Sequence, residues 1–162
     1  MLSALGARML GPMNVKGSAA ENPLVSIVDD DASTRKSAQR LICSFGFRAE
    51  AFASAQEFLE SGRVKETGCL ILDMRMPEMD GLELQDLLGS NNYRIPIIFV
   101  TAHASDDQQR RATQAGAVAF LRKPVSEQAF ISAIQAVLRQ GRQDENCKST
   151  LLLRQRNPDS TS

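Results

Sequence analysis

The sequence predicts an α/β domain, a five-stranded parallel sheet in the order 2-1-3-4-5 with helices on both faces. Two observations lead there. Short apolar runs alternate strictly with helical patterns between Pro23 and Gln140, and wholly apolar strands in that alternation belong to a parallel sheet covered on both sides. The chain's acidic, hydroxyl and basic residues also stand just after those runs, at the carboxyl ends of strands, where ligands gather in open α/β sheets. The second run lacks such a residue, which suits an edge strand far from the point where the strand order reverses.

Each element has its own signal. Residues 24–28 form the first strand and run into Asp29-Asp30-Asp31. Ala38, Leu41, Ile42 and Phe45 then make an i, i+3, i+4, i+7 stripe, and Gly46 stands where a left-handed cap would end the helix. A weaker strand at 47–52 leads into Ser54, which can cap a short helix carrying Phe58 and Leu59. The third strand, 69–72, delivers the chain into Asp73. Asp80-Gly81 reads as a turn and helix start, followed by Leu84, Leu87 and Leu88, with Gly89 and Asn91-Asn92 as stop signals. The fourth strand, 95–100, ends at Thr101. Ser105 caps a polar helix ending at Gly116. The fifth strand, 118–121, ends at Lys123-Pro124, and Ser126 caps a last helix with Ala129, Phe130, Ala133, Ile134, Val137 and Leu138 inward. Residues 1–22 read as a flexible N-terminal extension, 23–140 as the folded domain, and 141–162 as a polar C-terminal tail or linker fragment.

Gross composition narrows the function. A chain of 162 residues holds one ordinary domain. Lys plus Arg (19) balances Asp plus Glu (19), so bulk charge gives no argument for nucleic acid. Cys43, Cys69 and Cys147 stand far apart without a C-x-x-C pair. Cys43 and Cys69 are expected to be buried small hydrophobes in a reducing cytoplasm. No run reaches the roughly 20 apolar residues of a membrane span, so a cytoplasmic protein without a membrane partner is expected.

The chemistry lies in the strand ends. The carboxylates of the Asp29-Asp30-Asp31 run and of Asp73, brought together, would repel one another unless a cation intervened. With only oxygen ligands and neither Cys nor His in the set, a hard ion such as Mg²⁺ fits better than zinc. Asp31 is better placed to cap the first helix than to bind metal. Lys123 adds a mobile ammonium and Thr101 a hydroxyl donor. A metal, an ammonium, a hydroxyl and one central carboxylate suit phosphoryl transfer onto that carboxylate, which needs positioning and charge neutralisation more than proton chemistry. Asp73, on the central strand, is the candidate nucleophile.

Four segments, VDDD (28–31), LILDMRMPEMDGLEL (70–84), VTAH (100–103) and FLRKP (120–124), together resemble the signature segments of bacterial response-regulator receiver domains of two-component systems. The resemblance covers residues 24–139 and is most like receivers that usually precede a helix-turn-helix output domain. It implies a flavodoxin-like fold of the receiver type. It also implies that a histidine kinase or phosphotransfer protein phosphorylates Asp73, with Mg²⁺, or Mn²⁺ in its place, held by Asp29, Asp30, Asp73 and the backbone carbonyl of Arg75. On the same resemblance Thr101 and Lys123 sense the phosphoryl group and Phe120 is the switch aromatic. Arg75 and His103 modulate phosphoryl lifetime, and the Lys123-Pro124 bond is cis. Such a protein promotes only its own phosphorylation and dephosphorylation, and signals to a downstream protein partner or by phosphorylation-dependent homodimerisation. The 22 residues after Gln140 are too few for a helix-turn-helix domain, so no DNA-binding domain is expected in this chain, which reads either as a stand-alone receiver or as a piece of a longer regulator.

Three rivals remain. An aspartate-nucleophile phosphohydrolase of the haloacid-dehalogenase type needs a second Asp two residues after the first, where this chain has Arg75. A flavin-binding module needs a Gly/Ser/Thr phosphate loop after the first strand, where DDDAS would repel a phosphate. A docking adaptor that keeps the fold without phosphorylation is the serious alternative, although this chain retains the acidic pair, the acceptor, the hydroxyl and the lysine.

Overall fold

The computed structural model describes the backbone of residues 22–155 and the side chains of residues 22–144. Its frame is a five-stranded sheet in the order β2-β1-β3-β4-β5, parallel throughout. The strands are β1 (Leu24–Val28), β2 (Arg48–Phe52), β3 (Thr67–Leu72), β4 (Ile97–Thr101) and β5 (Ala119–Arg122). Every residue of β1 and β4, and all of β3 but Gly68, is buried. The edge strands β2 and β5 are mostly half-buried, which explains why β2 read weakly.

Helices α1 (Ala32–Ser44), α2 (Ala55–Glu60), α3 (Gly81–Ser90), α4 (Asp106–Gln114) and α5 (Glu127–Gln155) fill the connections, with a 3₁₀ turn at Val64–Glu66. Strand alternation divides the core in two. Leu70 and Leu72 face one cluster with Phe58 of α2, Leu84 and Leu88 of α3 and Ala112 of α4. Cys69 and Ile71 face the other, with Ile42 of α1 and Phe130 and Ile134 of α5.

The expected caps are present. Asp31, Ser54, Asp80 and Ser105 each accept a backbone N–H from three residues on, and Ser126 Oγ accepts from the Ala129 N–H at 3.2 Å. Gly46 and Gly116 take the left-handed conformation after α1 and α4, with φ of 85° and 101°.

Several expectations are corrected. Phe45 is 53% exposed, because α1 ends at Ser44 and Phe45 is its C-cap, outside the helical register. Cys43 is exposed, whereas Cys69 is buried as expected. Leu87 and Ala129 face outward, and Ile131, absent from the predicted stripe, is buried. Residues 141–155 of the expected polar tail or linker fragment continue α5, which runs to Gln155. Gly141 costs a helix interior only about 1 kcal/mol, while Arg, Gln, Glu and Leu around it favour helix and the next proline is Pro158. Residues 1–21 and 156–162 lie outside the described residues, and with them nearly all of the predicted N-terminal extension. No helix among the described residues is long and apolar enough to cross a membrane.

Candidate functional site

Register brings the polar strand ends together. Val28 is paired with Leu72, and Leu72 with Phe99, so the residues that follow leave the sheet at one rim. Two further ladder bonds carry the order past the strands. The Asp29 N–H donates to the Phe52 carbonyl at 3.2 Å, and the Asp73 N–H to the Val28 carbonyl at 3.0 Å.

One carboxylate oxygen from each of Asp29, Asp30 and Asp73 lies within 4.8 Å of the others. Asp29 is 5% exposed, so its charge needs partners. It has two: Oδ1 accepts the Asp31 N–H at 2.9 Å and Oδ2 the Lys123 ammonium at 2.9 Å. Asp30 is exposed and Asp73 half-buried. Burial raises the Asp73 carboxyl above its ordinary pKa; the Lys123 ammonium opposes that shift and the Asp29 carboxylate adds to it. Asp31 acts as the α1 cap, accepting the Thr34 N–H at 2.9 Å, and that bond holds its carboxyl below its ordinary value.

Three ionised carboxylates against one ammonium leave two negative charges in excess within a few ångströms. The donor set is oxygen only, which suits a hard divalent cation. Beside it, a cleft of about 350 Å³ runs from Asp29, Asp73 and Lys123 between Leu41 of α1 and Phe130 of α5.

The other expected residues fall around this cluster. Thr101 is buried at the end of β4, and its hydroxyl donates to the His103 carbonyl at 3.3 Å. The side chains of His103 and Arg75 are exposed on the rim, away from the acidic cluster's bonds. Phe120 is half-buried on β5, its ring stacked on Phe99 with centroids 6.0 Å apart. The Lys123-Pro124 bond is cis, and the Lys123 N–H donates to the Thr101 carbonyl at 2.9 Å.

Two contacts at the site escaped the sequence reading, which took Gly81 only as part of a turn and helix start. Arg35, on α1, donates through Nη1 to the carbonyls of Asp29 at 2.8 Å and Asp30 at 3.1 Å. Gly81 lies so close to the end of β3 that a Cβ would stand 2.5 Å from the Asp73 carbonyl oxygen and 2.9 Å from Phe99 Cε1. Only the spacing of Arg35 after the acidic run, one turn into the helix, could have hinted at its contact.

Comparison with known proteins agrees with this geometry. The family model described as the response regulator receiver domain matches residues 25–135. Nodulation protein W of Bradyrhizobium diazoefficiens is 38% identical over 133 residues, covering 82% of this chain and 59% of that protein. Response regulator protein TodT of Pseudomonas putida is 40% identical over 116 residues, covering 72% of this chain and 51% of that protein. The chain thus spans between half and three-fifths of the length of these relatives. Among solved structures, the response regulator StyR superposes with a TM-score of 0.74 at 41% identity, covering 87% of this chain and 71% of that one. The receiver domain of a putative Luxo repressor protein from Vibrio parahaemolyticus gives 0.73 at 21% identity, covering 78% and 97%, a likeness of fold alone. With its acidic rim at the carboxyl edge of a 2-1-3-4-5 sheet, the chain belongs to the response regulator receiver domain family.

Proposed function

We propose that this domain is a phosphoacceptor switch, in which an Asp73 carboxylate oxygen attacks the phosphorus of a phosphohistidine on a sensor kinase or phosphotransfer protein. The P–N bond breaks, the imidazole leaves with its electron pair, and an acyl phosphate forms on Asp73. The observation that carries this reading is the convergence of three carboxylates and Lys123 at the end of the central strand. Asp29, Asp30 and Asp73, with the Arg75 backbone carbonyl, would hold Mg²⁺ or Mn²⁺. When bound, such an ion neutralises charge on the phosphoryl oxygens.

The chain's own residues do the rest. Lys123 exchanges its bond to Asp29 for one to the phosphoryl group, and Thr101 turns its hydroxyl from the His103 carbonyl toward the same oxygens. Moving Thr101 frees space for Phe120 to rotate off Phe99, which alters the face made by α4, β5 and α5. A downstream protein or a second copy reads that face. Arg75 and His103, on the rim, set how readily water reaches the acyl phosphate. The domain acts on its own aspartyl phosphate rather than turning over a separate substrate, and it works in the cytoplasm.

Intact mass after incubation with a small acyl-phosphate donor, with and without Mg²⁺, tests the reading. A Mg²⁺-dependent gain of one phosphoryl group, absent from Asp73→Asn, is expected. No gain in folded protein would favour a docking adaptor instead.

A further inference from the structure

The loop between β1 and α1 has a physical problem. It must hold the Asp29 and Asp30 carboxylates within reach of one another and of Asp73, and like charges in a free loop would spread it. Arg35 offsets this from one turn into α1. Its Nη1 donates to two successive carbonyls, Asp29 at 2.8 Å and Asp30 at 3.1 Å, which fixes the peptide planes on both sides of Asp30. The same turn is locked by the Asp31 N–H on Asp29 Oδ1 and by the Arg35 N–H on the Asp31 carbonyl at 3.0 Å.

Helix stability does not account for the arginine. A cation near the amino end of a helix opposes the helix dipole, and the carboxylate at the amino end of α1, Asp31, bonds the Thr34 N–H and not the guanidinium. The guanidinium bonds go to backbone carbonyls and take up none of the carboxylate oxygens.

We propose that Arg35 is a positioning residue for the divalent cation held by Asp29 and Asp30, setting the loop without touching the ion. This rests on the metal reading given under Proposed function. Charge and position make opposite predictions. Were Arg35 only a nearby positive charge, its removal would tighten binding of a divalent cation; if it orders the loop, removal weakens binding.

The test is a Mn²⁺ titration of the full chain, followed by the paramagnetic resonance of the free ion, below the unfolding transition of each metal-free protein. Arg35→Gln and Arg35→Met both remove the donated pair of bonds, and Met keeps the stem should Gln not fold. Each is expected to weaken Mn²⁺ binding about ten-fold or more, the usual loss for an outer-shell partner. Arg35→Lys is expected to stay within about three-fold of wild type, because one nitrogen carries both bonds and an ammonium can replace it. Binding by the neutral variants as tight as wild type, or tighter, overturns the inference alone. Absence of Mn²⁺ binding by wild type overturns the metal reading and the inference with it.

Discussion

Asp73 is held in a place that suits phosphoryl chemistry better than stability. Its carboxyl is raised above its ordinary pKa chiefly by burial, so the ionised form is less at home in the folded chain than in the unfolded one. Below the unfolded value both states are protonated and nothing is lost. As pH rises through the folded value the destabilisation becomes complete. In divalent-free buffer, Asp73→Asn is therefore expected to unfold at a higher temperature than wild type at pH 7, with the gap closing on acidification through the carboxylate range. Thermal unfolding at the two pH values checks this, and a less stable mutant at pH 7 contradicts it. Gly81 acts on the same residue from behind. A Cβ there would meet two backbone atoms of the segment after β3, the Asp73 carbonyl oxygen at 2.5 Å and Met74 Cα at 3.1 Å, besides the Phe99 ring. Gly81→Ala should cost about 1–3 kcal/mol by urea unfolding, and an unchanged midpoint would remove the steric argument. The carboxylates and Lys123 were legible in the sequence because each follows an apolar strand. Arg35 and Gly81 were not, because their roles lie in contacts with backbone atoms, which leave no mark in a pattern of side-chain types.

At the level of elements, α3 and α4 meet through a polar contact that no periodicity announces. Gln85, buried on α3, donates through Nε2 to the Ala112 carbonyl of α4 at 3.0 Å. Its Oε1 is buried with no hydrogen-bond partner among the described residues. The Ala112 carbonyl also accepts the Ala117 N–H at 2.9 Å, so replacing Gln85 leaves that carbonyl satisfied and removes the orphan oxygen. Gln85→Leu is therefore expected to lie within about 1 kcal/mol of wild type or above it, measured by thermal unfolding. A loss beyond about 2 kcal/mol would mean that the contact to Ala112 matters more than the orphan oxygen costs. Element identity and order were readable because caps and strand runs punctuate the chain, as Asp80 and Ser105 show with their capping boxes. Helix ends were less readable: the α1 stripe carried Phe45 past the last helical residue, and composition alone made a tail of residues that continue α5.

For the whole molecule, strand order places the chemistry. Parallel strands with matched registers send Asp29, Asp73, Thr101 and Lys123 to one rim, so binding there should stabilise the entire fold. A ligand bound only by the folded state at ten times its Kd adds about 1.4 kcal/mol. Mg²⁺ at that ratio should raise the unfolding temperature of wild type and leave Asp30→Asn nearly unmoved. Equal shifts in both would remove Asp30 from the ion's ligands. The topology was legible because every strand end but the second carries a charge or a hydroxyl. The proposal that this rim accepts a phosphoryl group is tested most directly by locating that group. Borohydride reduces an aspartyl phosphate to homoserine, so peptide mass mapping after phosphorylation and reduction names the acceptor. The account predicts homoserine at residue 73 and nowhere else; homoserine at another aspartate, or none in protein that has gained a phosphoryl group, would contradict it.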